Sequence, residues 1–173
     1  MSSATTQQQG REEAAGATGG QYLTFVMDNE QYAVDVAHSQ TVLEYAEITH
    51  IPRMPDFVLG VINFRGSVLP VIDLRKKLNL RPLPEDSEIR PMIIVLDIPF
   101  EDGRITMGAT ADSVNEVVDI EHSSIEKPPS IGTSVDTSFI QGIGKKDEEF
   151  IIILRSERIF RDEELAALNA ETT

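Results

Sequence analysis

The chain has 173 residues, no cysteine and a formal net charge of −14, from 15 Lys and Arg against 29 Asp and Glu. The acidic excess argues against a protein that grips nucleic-acid phosphates or an anionic membrane through charge alone, and the lack of cysteine excludes disulfides and thiolate metal sites. No apolar run reaches the ~18 residues that a membrane-spanning helix needs.

The first 20 residues are polar and rich in glycine, alanine and threonine. They lack the basic and apolar regions of a signal peptide, so residues 1–20 are predicted to be a disordered tail of a cytoplasmic protein. The segment that follows, YLTFVMDNEQYAVDV, reads as two strands joined by a turn at Asp28 and Asn29.

Further along, FVLGVINF and SVLPVIDL read as strands joined through Arg65 and Gly66, with Pro70 typical of an edge or a bulge. PMIIVLDI, RITMGATADSVNEVVDI, FIQGIG and EFIIIL supply more strands, and KPPSIGTSVDTS reads as a long polar loop. RDEELAALN, with early acids and a Leu/Ala face, predicts a short terminal helix. Many short strands with turn signals favour an all-β barrel or sandwich.

The two halves of the chain share an order of features. A glycine follows a phenylalanine by three residues in each half, at Gly60 and Gly142, and each glycine precedes an apolar run by eight. Asp35 is matched with Asp112 in the same alignment. We therefore predict a duplication, with two small β units that share a core because each is too small to bury much surface alone. The boundary between two such units, each taken as one β-barrel subdomain, is placed near residues 85–90.

Residues suited to chemistry do not form a known catalytic or metal-binding motif. The three histidines, His38, His50 and His122, have no metal-ligand spacing and are interpreted as surface or turn residues. Asp35, Asp73 and Asp112 end or interrupt strands, where a carboxylate accepts backbone N–H groups. Arg65 remains open to two interpretations: a turn residue that points to solvent, or a guanidinium held on a rigid hairpin for recognition.

GVINFRGSVLPVIDLR, residues 60–75, resembles the pattern of the CheW family, the adaptors of bacterial chemotaxis. The similarity extends over about 145 residues. It implies a CheW-like domain over residues 21–165, built as two five-stranded SH3-like β barrels on a shared hydrophobic core, with a short C-terminal helix whose end and tail occupy residues 166–173. It also implies no catalysis, no cofactor and no metal. The matching positions are Gly60, Val61, Asn63, Arg65, Gly66, Pro70, Val71, Asp73, Leu74 and Arg75.

The resemblance implies a scaffold that couples the cytoplasmic tips of chemoreceptors to the regulatory domain of a CheA-like histidine kinase, with further adaptor copies as additional partners. It implies neither nucleic-acid binding nor membrane insertion, and a place at membrane receptor arrays through partners. Arg65, with Asn63 and Gly66, falls on the family's coupling arginine and its turn. The positions that match the receptor-facing groove are Met92, Ile93 and Val117.

One position departs from the family pattern. Thr41 stands where a family glutamate pairs with the coupling arginine, and Glu44 and Glu47 are the candidate replacements. The departure leaves open whether the partners are the main chemotaxis proteins or those of a paralogous array.

Two other classes of function were weighed against a scaffold. A small β-barrel enzyme would use a carboxylate pair in a closed pocket, whereas an adaptor would have an apolar trough between the barrels. An OB-like nucleic-acid binder would need basic and aromatic stacking surface, which 6% aromatic residues and the negative charge disfavour.

Overall fold

The computed structural model describes residues 19–44, 46–127 and 137–172. Within these ranges the chain forms ten β-strands, a one-turn helix and a C-terminal helix, so the predicted all-β class with a short terminal helix is confirmed. The helices are Leu74–Lys77 and Asp162–Thr172. In chain order the strands are β1 (Gly19–Met27), β2 (Glu30–Asp35), β3 (Ser39–Leu43), β4 (Val58–Phe64), β5 (Ser67–Ile72), β6 (Met92–Phe100), β7 (Gly103–Ala111), β8 (Ser113–Glu121), β9 (Ile140–Lys146) and β10 (Glu149–Leu154).

The first strand begins inside the segment that was predicted to be a disordered tail. Gly19 and Gly20 pair with residues of β8, so regular structure starts two residues earlier than predicted. Residues 1–18 lie outside the described residues, as do residues 128–136 of the predicted polar loop. In the part of the chain that the structure describes, no helix is both long enough and apolar enough to cross a membrane.

The strands divide into two five-stranded sheets, which are the two SH3-like barrels. The first barrel has the order β8-β1-β2-β10-β9, and the second barrel has the order β3-β6-β7-β5-β4. The two orders correspond strand by strand: β3, β6, β7, β5 and β4 of the second barrel match β8, β1, β2, β10 and β9 of the first. The predicted duplication therefore fits the topology, with β1–β5 repeated as β6–β10.

The two repeats exchange strands, which corrects the predicted boundary near residues 85–90. Each barrel takes one hairpin from one repeat and three strands from the other: β1 and β2 join β8, β9 and β10, whereas β6 and β7 join β3, β4 and β5. Two parallel pairings complete the exchange, Tyr32 beside Ile152 and Val71 beside Gly108. A cut near residues 85–90 would separate the repeats but would divide both barrels.

Gly60 and Gly142 occupy matching positions, as predicted. A Cβ atom on Gly60 would lie 2.3 Å from the carbonyl oxygen of Thr49, and one on Gly142 would lie 2.8 Å from that of Glu126. Glycine is needed at both places because a neighbouring segment crosses close to the strand. The strand pairings around the two glycines match as well. Gly60 lies opposite Val71, and Val71 lies beside Gly108 in the parallel pair. Gly142 lies opposite Ile153, and Ile153 lies beside Ala33 in the other parallel pair.

The predicted match between Asp35 and Asp112 is wrong, although both carboxylates act as expected. Ala33 of the first repeat corresponds to Gly108 of the second. Asp35, two residues after Ala33, therefore corresponds to Thr110 and not to Asp112. Asp35 accepts from the N–H of Ala37 at 2.9 Å, and Asp112 accepts from that of Asp28 at 3.0 Å. Asp73 likewise accepts from the N–H of Arg75 at 3.1 Å, so the local hydrogen-bonding role is confirmed for all three.

One hydrophobic core joins the two barrels. It packs Phe25 and Tyr32 of the first barrel against Leu96 and Met107 of the second, and Leu165 of the C-terminal helix closes it. Burying each such side chain stabilises the fold by roughly 1.5–3 kcal/mol, so neither barrel would keep its stability without the other. Each barrel also has its own smaller cluster, formed by Tyr22, Ala33, Val118, Ile120, Ile151 and Ile153 in the first and by Ile62, Leu69, Val71, Ile93 and Val95 in the second.

A nearly buried ion pair ties the second barrel to a hairpin of the first. Arg75 Nε and Nη2 donate to the two carboxylate oxygens of Asp112 at 3.3 and 2.5 Å, and the side chains are 9% and 11% exposed. Arg75 Nη1 also donates to the carbonyl oxygen of Arg81 at 2.6 Å. Asp112 holds the N–H of Asp28 in the β1–β2 turn. Every strong donor and acceptor of this cluster has a partner, which is what makes a buried charge tolerable.

A second ion pair anchors the C-terminal helix. Lys77 Nζ lies 2.9 Å from both carboxylate oxygens of Glu164 and 4.6 Å from the ring centre of Phe57. Glu164 also accepts from the backbone N–H of Arg161 at 2.8 Å, which satisfies the first turn of the helix. Burial alone would raise the pKa of Glu164, but the N–H of Arg161 and the ammonium of Lys77 together hold it below its usual value.

Candidate protein-interaction site

Arg65 lies at the tip of the β4–β5 hairpin. Phe64 and Ser67 are the last paired residues, so Arg65 and Gly66 form a two-residue turn. Both have positive φ, 53° and 82°, which suits the twist of hairpin strands and is most often met by Asn-Gly sequences. Asn63 Oδ1 accepts from the backbone N–H of Gly66 at 3.0 Å. Asn63 and Gly66 therefore stabilise the turn, but neither of them explains an arginine between them.

The guanidinium of Arg65 is exposed and lies over an aromatic ring. Its Cζ is 4.8 Å from the ring centre of Phe64, which in turn packs against the cluster of the second barrel. A non-glycine residue in the left-handed region costs of order 1–3 kcal/mol, so the hairpin keeps arginine where glycine would be less strained. Among the described residues Arg65 has no carboxylate within ion-pair distance. Its planar set of donors is free to bind a partner.

Two cavities border this hairpin. One, of about 360 Å³, is lined by Arg65, Arg104 and Gln40 among others, and the other, of about 390 Å³, includes Glu47. Val68 lines both and is 56% exposed. The hairpin thus presents an exposed aliphatic side chain beside two guanidinium groups, a combination suited to contact with an acidic and partly apolar protein surface.

The predicted carboxylate partner of Arg65 is not in contact with it. Thr41 lies in β3 opposite Val95, and Glu44 and Glu47 are exposed beyond the end of that strand. Glu47 borders the same cavity as Asn63 and Gly66, but neither glutamate forms an ion pair with Arg65 in the described part of the chain. Replacement of the family glutamate by Glu44 or Glu47 therefore stays a prediction.

The predicted receptor-facing residues differ in exposure. Val117 is 47% exposed on β8, and Met92 is half-buried at the start of β6, in the other barrel. Ile93 is 1% exposed and belongs to the cluster of the second barrel. Val117 and Met92 can contact another protein directly, whereas Ile93 can influence binding only through packing.

Sequence reasoning missed Val68 and Arg104 as part of this site. Val68 follows Arg65 by three residues across a tight turn, so its position was a usable signal. Arg104 reaches the site through the long-range pairing of β5 with β7, which leaves no local pattern. The three histidines do not come together, and no group of three or more His, Asp or Glu side chains in the described ranges is placed to hold a metal ion.

Comparison with known proteins places the chain in a family. The CheW-like domain model matches residues 21–164. The chain is 31% identical over 156 residues to the chemotaxis protein CheW of Klebsiella aerogenes, covering 90% of both chains, and 32% identical over 147 residues to that of Bacillus subtilis, covering 84% of this chain and 90% of the relative.

A solved structure supports the same assignment. The scaffolding protein TtCheW from Thermoanaerobacter tengcongensis superposes with a TM-score of 0.71 at 34% identity, over 84% of this chain and 90% of that one. The family match, the relatives and the solved structure together identify a non-catalytic chemotaxis scaffold. The chain belongs to the CheW family.

Proposed function

We propose that this scaffold couples the cytoplasmic tips of chemoreceptors to a CheA-like histidine kinase, and that the Arg65 hairpin is one of its coupling contacts. The unit that does so is residues 21–165, acting in the cytoplasm and reaching membrane receptor arrays through its partners. The regulatory domain of the kinase, the helical receptor tip and further adaptor copies are the binding partners.

The observation that carries the proposal is the state of Arg65. The residue occupies a strained backbone position, its guanidinium is exposed, and no described carboxylate neutralises it. Its neighbours Asn63 and Gly66 account for the turn without it. A strained and unpaired arginine on a rigid hairpin is typical of a residue kept for binding rather than for stability.

The test is assembly of a ternary complex with purified receptor fragment and kinase, using Arg65→Ala and Arg65→Lys. Loss of a charge-assisted contact worth about 2 kcal/mol would weaken assembly about 30-fold while the melting temperature changes little. Arg65→Lys should assemble little better than Arg65→Ala, because an ammonium cannot reproduce the planar donors of a guanidinium.

Arg53→Ala is a matched control. Arg53 is also an exposed arginine with positive φ, 69°, and it lies outside the hairpin. Its replacement removes the same charge from a similar backbone conformation, so assembly should stay within twofold of the unmodified chain. Normal assembly by Arg65→Ala, or an equal loss in both variants, would contradict the role of Arg65.

Val117 and Met92 are proposed to face the receptor. Their exposure in different barrels supports a contact that spans both, and Ile93 supports it from the core. Val117→Asp should reduce receptor binding and leave binding to the kinase domain alone unchanged; loss of both would point to misfolding or to a shared surface.

A further inference from the structure

The cavity of about 360 Å³ beside Arg65 has a counterpart in the other barrel. The counterpart, of about 180 Å³, lies at the tip of the β9–β10 hairpin. The strand registers that match Gly60 with Gly142 and Gly108 with Ala33 carry the lining of one cavity onto that of the other. Six of the nine lining positions correspond, and three of these pairs differ in ways that matter for binding: Arg65 and Asp147, Ser67 and Glu149, Thr106 and Gln31.

In the counterpart, the chain supplies its own carboxylate. Gln31 Nε2 of β2 donates to Glu149 Oε2 of the neighbouring β10. In the cavity beside Arg65, the place of Glu149 is taken by Ser67, which is exposed and carries no charge. The cavity therefore lacks the carboxylate that its counterpart has at this position.

Arg104 brings a second guanidinium to the cavity beside Arg65. It lies two residues before Thr106 on β7, so both side chains project from the same face of the strand. Arg104 is exposed, and among the described residues it forms no ion pair. The cavity thus holds two guanidinium groups that no carboxylate of the described chain neutralises.

Asp97 of β6 holds two lining residues of this cavity in place. Its two carboxylate oxygens each lie 2.8 Å from Gln40 Nε2, and one of them accepts from Thr106 Oγ1 at 2.7 Å. Asp97 does not line the cavity and is beyond ion-pair distance of both arginines. These hydrogen bonds join β3, β6 and β7, so the wall of the cavity is fixed before a partner binds.

The cavity lies far from the proposed receptor contact at Met92. Arg104 pairs with Pro99 near the other end of β6, seven residues after Met92. At about 3.3 Å per residue, the two places are roughly 23 Å apart along the strand. A receptor tip bound at Met92 would therefore leave this cavity free for the kinase.

We propose that Arg104 is a second coupling residue and that this cavity binds a carboxylate-bearing segment of the kinase regulatory domain. The partner's carboxylate takes the place that Glu149 has in the counterpart, beside Ser67, and pairs with Arg104 and Arg65. An apolar side chain next to it covers the exposed Val68. This contact rests on the proposed function and deepens it, because it assigns the charge and the position of the group that Arg65 binds.

The first variant places the missing carboxylate in the chain itself. Ser67→Glu gives the cavity the acid that its counterpart has at Glu149. It should weaken binding of the purified kinase regulatory domain to the full chain about tenfold or more in calorimetry, while the melting temperature is unchanged or rises. The uncharged Ser67→Gln should lose no more than about threefold. Equal losses by the two variants would mean that bulk alone blocks the cavity, and would overturn the proposal.

NMR of the unbound chain tests whether the new carboxylate reaches Arg104. In labelled Ser67→Glu, the Nε–H signal of Arg104 should move, and that of Arg53 should stay in place. The control Ser123→Glu adds the same charge at an exposed turn that lines neither cavity, so it should leave the Arg104 signal unmoved and kinase binding within about twofold. An unmoved Arg104 signal in Ser67→Glu, or an equal binding loss in the control, would contradict the assigned position.

Arg104→Ala separates this contact from the proposed function. It should weaken kinase binding about tenfold and leave binding of the receptor fragment alone within about twofold. The control Arg90→Ala removes an exposed arginine outside the cavity and should change neither. Normal kinase binding by Arg104→Ala, with a defect in Arg65→Ala, would refute the second contact and keep the role of Arg65.

Two further outcomes concern the partner. Loss of receptor binding in Arg104→Ala, with kinase binding intact, would overturn the choice of the kinase as occupant of the cavity. Failure of the unmodified chain to bind the kinase domain at all would refute the proposed function itself, and this contact with it.

Discussion

At the scale of single residues, the backbone of Arg65 and its side chain can be tested separately. Arg65→Ala and Arg65→Gly remove the same guanidinium and the same contact with Phe64. Only glycine tolerates φ of 53° without strain, so the glycine variant should be more stable than the alanine variant by about 1 kcal/mol in urea unfolding. Both should be equally defective in ternary assembly. Equal stability would show that the turn relaxes away from the left-handed conformation when the arginine is lost.

Glu164 makes a pH-dependent contribution to stability. Its folded-state pKa is lowered, against the effect of burial, by the N–H of Arg161 and by Lys77. A carboxylate whose pKa is lowered stabilises the fold above its unfolded value, about 4.3, and loses that contribution as the pH falls through the folded value. Glu164→Gln should therefore lower the free energy of unfolding by about 2 kcal/mol at pH 7. The difference from the unmodified chain should shrink below about pH 4, as followed by urea midpoints, and a pH-independent difference would exclude this linkage.

At the scale of elements, the ion pair between Arg75 and Asp112 holds the one-turn helix against the β1–β2 turn. Asp112→Ala should lower the free energy of unfolding by about 3–5 kcal/mol, because it leaves a buried guanidinium without its charge partner and the N–H of Asp28 without an acceptor. Replacing both charges, as in Arg75→Met/Asp112→Leu, should recover much of that loss. Chemical denaturation measures both variants.

A surface ion pair provides the control for this cluster. Lys76 lies 3.9 Å from Asp56, whose side chain is 91% exposed. Asp56→Ala should change stability by no more than about 0.5 kcal/mol. A cost for Asp112→Ala as small as this would show that the inner pair is solvated in solution.

The elements that sequence predicted are those with a local signal. The β4–β5 turn was predictable from Asn63, Arg65 and Gly66 within four residues, and the matched glycines revealed the duplication. The pairing of Arg75 with Asp112 was not predictable, because 37 residues separate them and neither residue type specifies its partner. The correspondence of Asp35 with Asp112 failed for a related reason: an aspartate near a strand end marks a turn but does not fix the register of the strand.

At the scale of the whole molecule, the exchange of strands predicts how fragments behave. A fragment of residues 1–88 contains β1–β5, and one of residues 89–173 contains β6–β10, so each lacks the strands that complete its sheets. Each fragment alone should show little cooperative unfolding by circular dichroism, and mixing equal amounts should restore it. Independent cooperative folding of both fragments would contradict the interleaved topology. The exchange could not be foreseen from the sequence, since parallel pairings between distant strands leave no periodic pattern.

The interleaved barrels also set the time at which the protein can fold during its synthesis. Tyr32 of β2 pairs with Ile152 of β10, 120 positions later in the chain. Contacts of such high sequence separation are slow to form, since a long loop must close before they can contribute. The first barrel is therefore incomplete until β10, which ends at Leu154, has left the ribosome. Until then β1 and β2 expose unpaired edges to other nascent chains. The protein is therefore most vulnerable to misassembly before β10 has been synthesised.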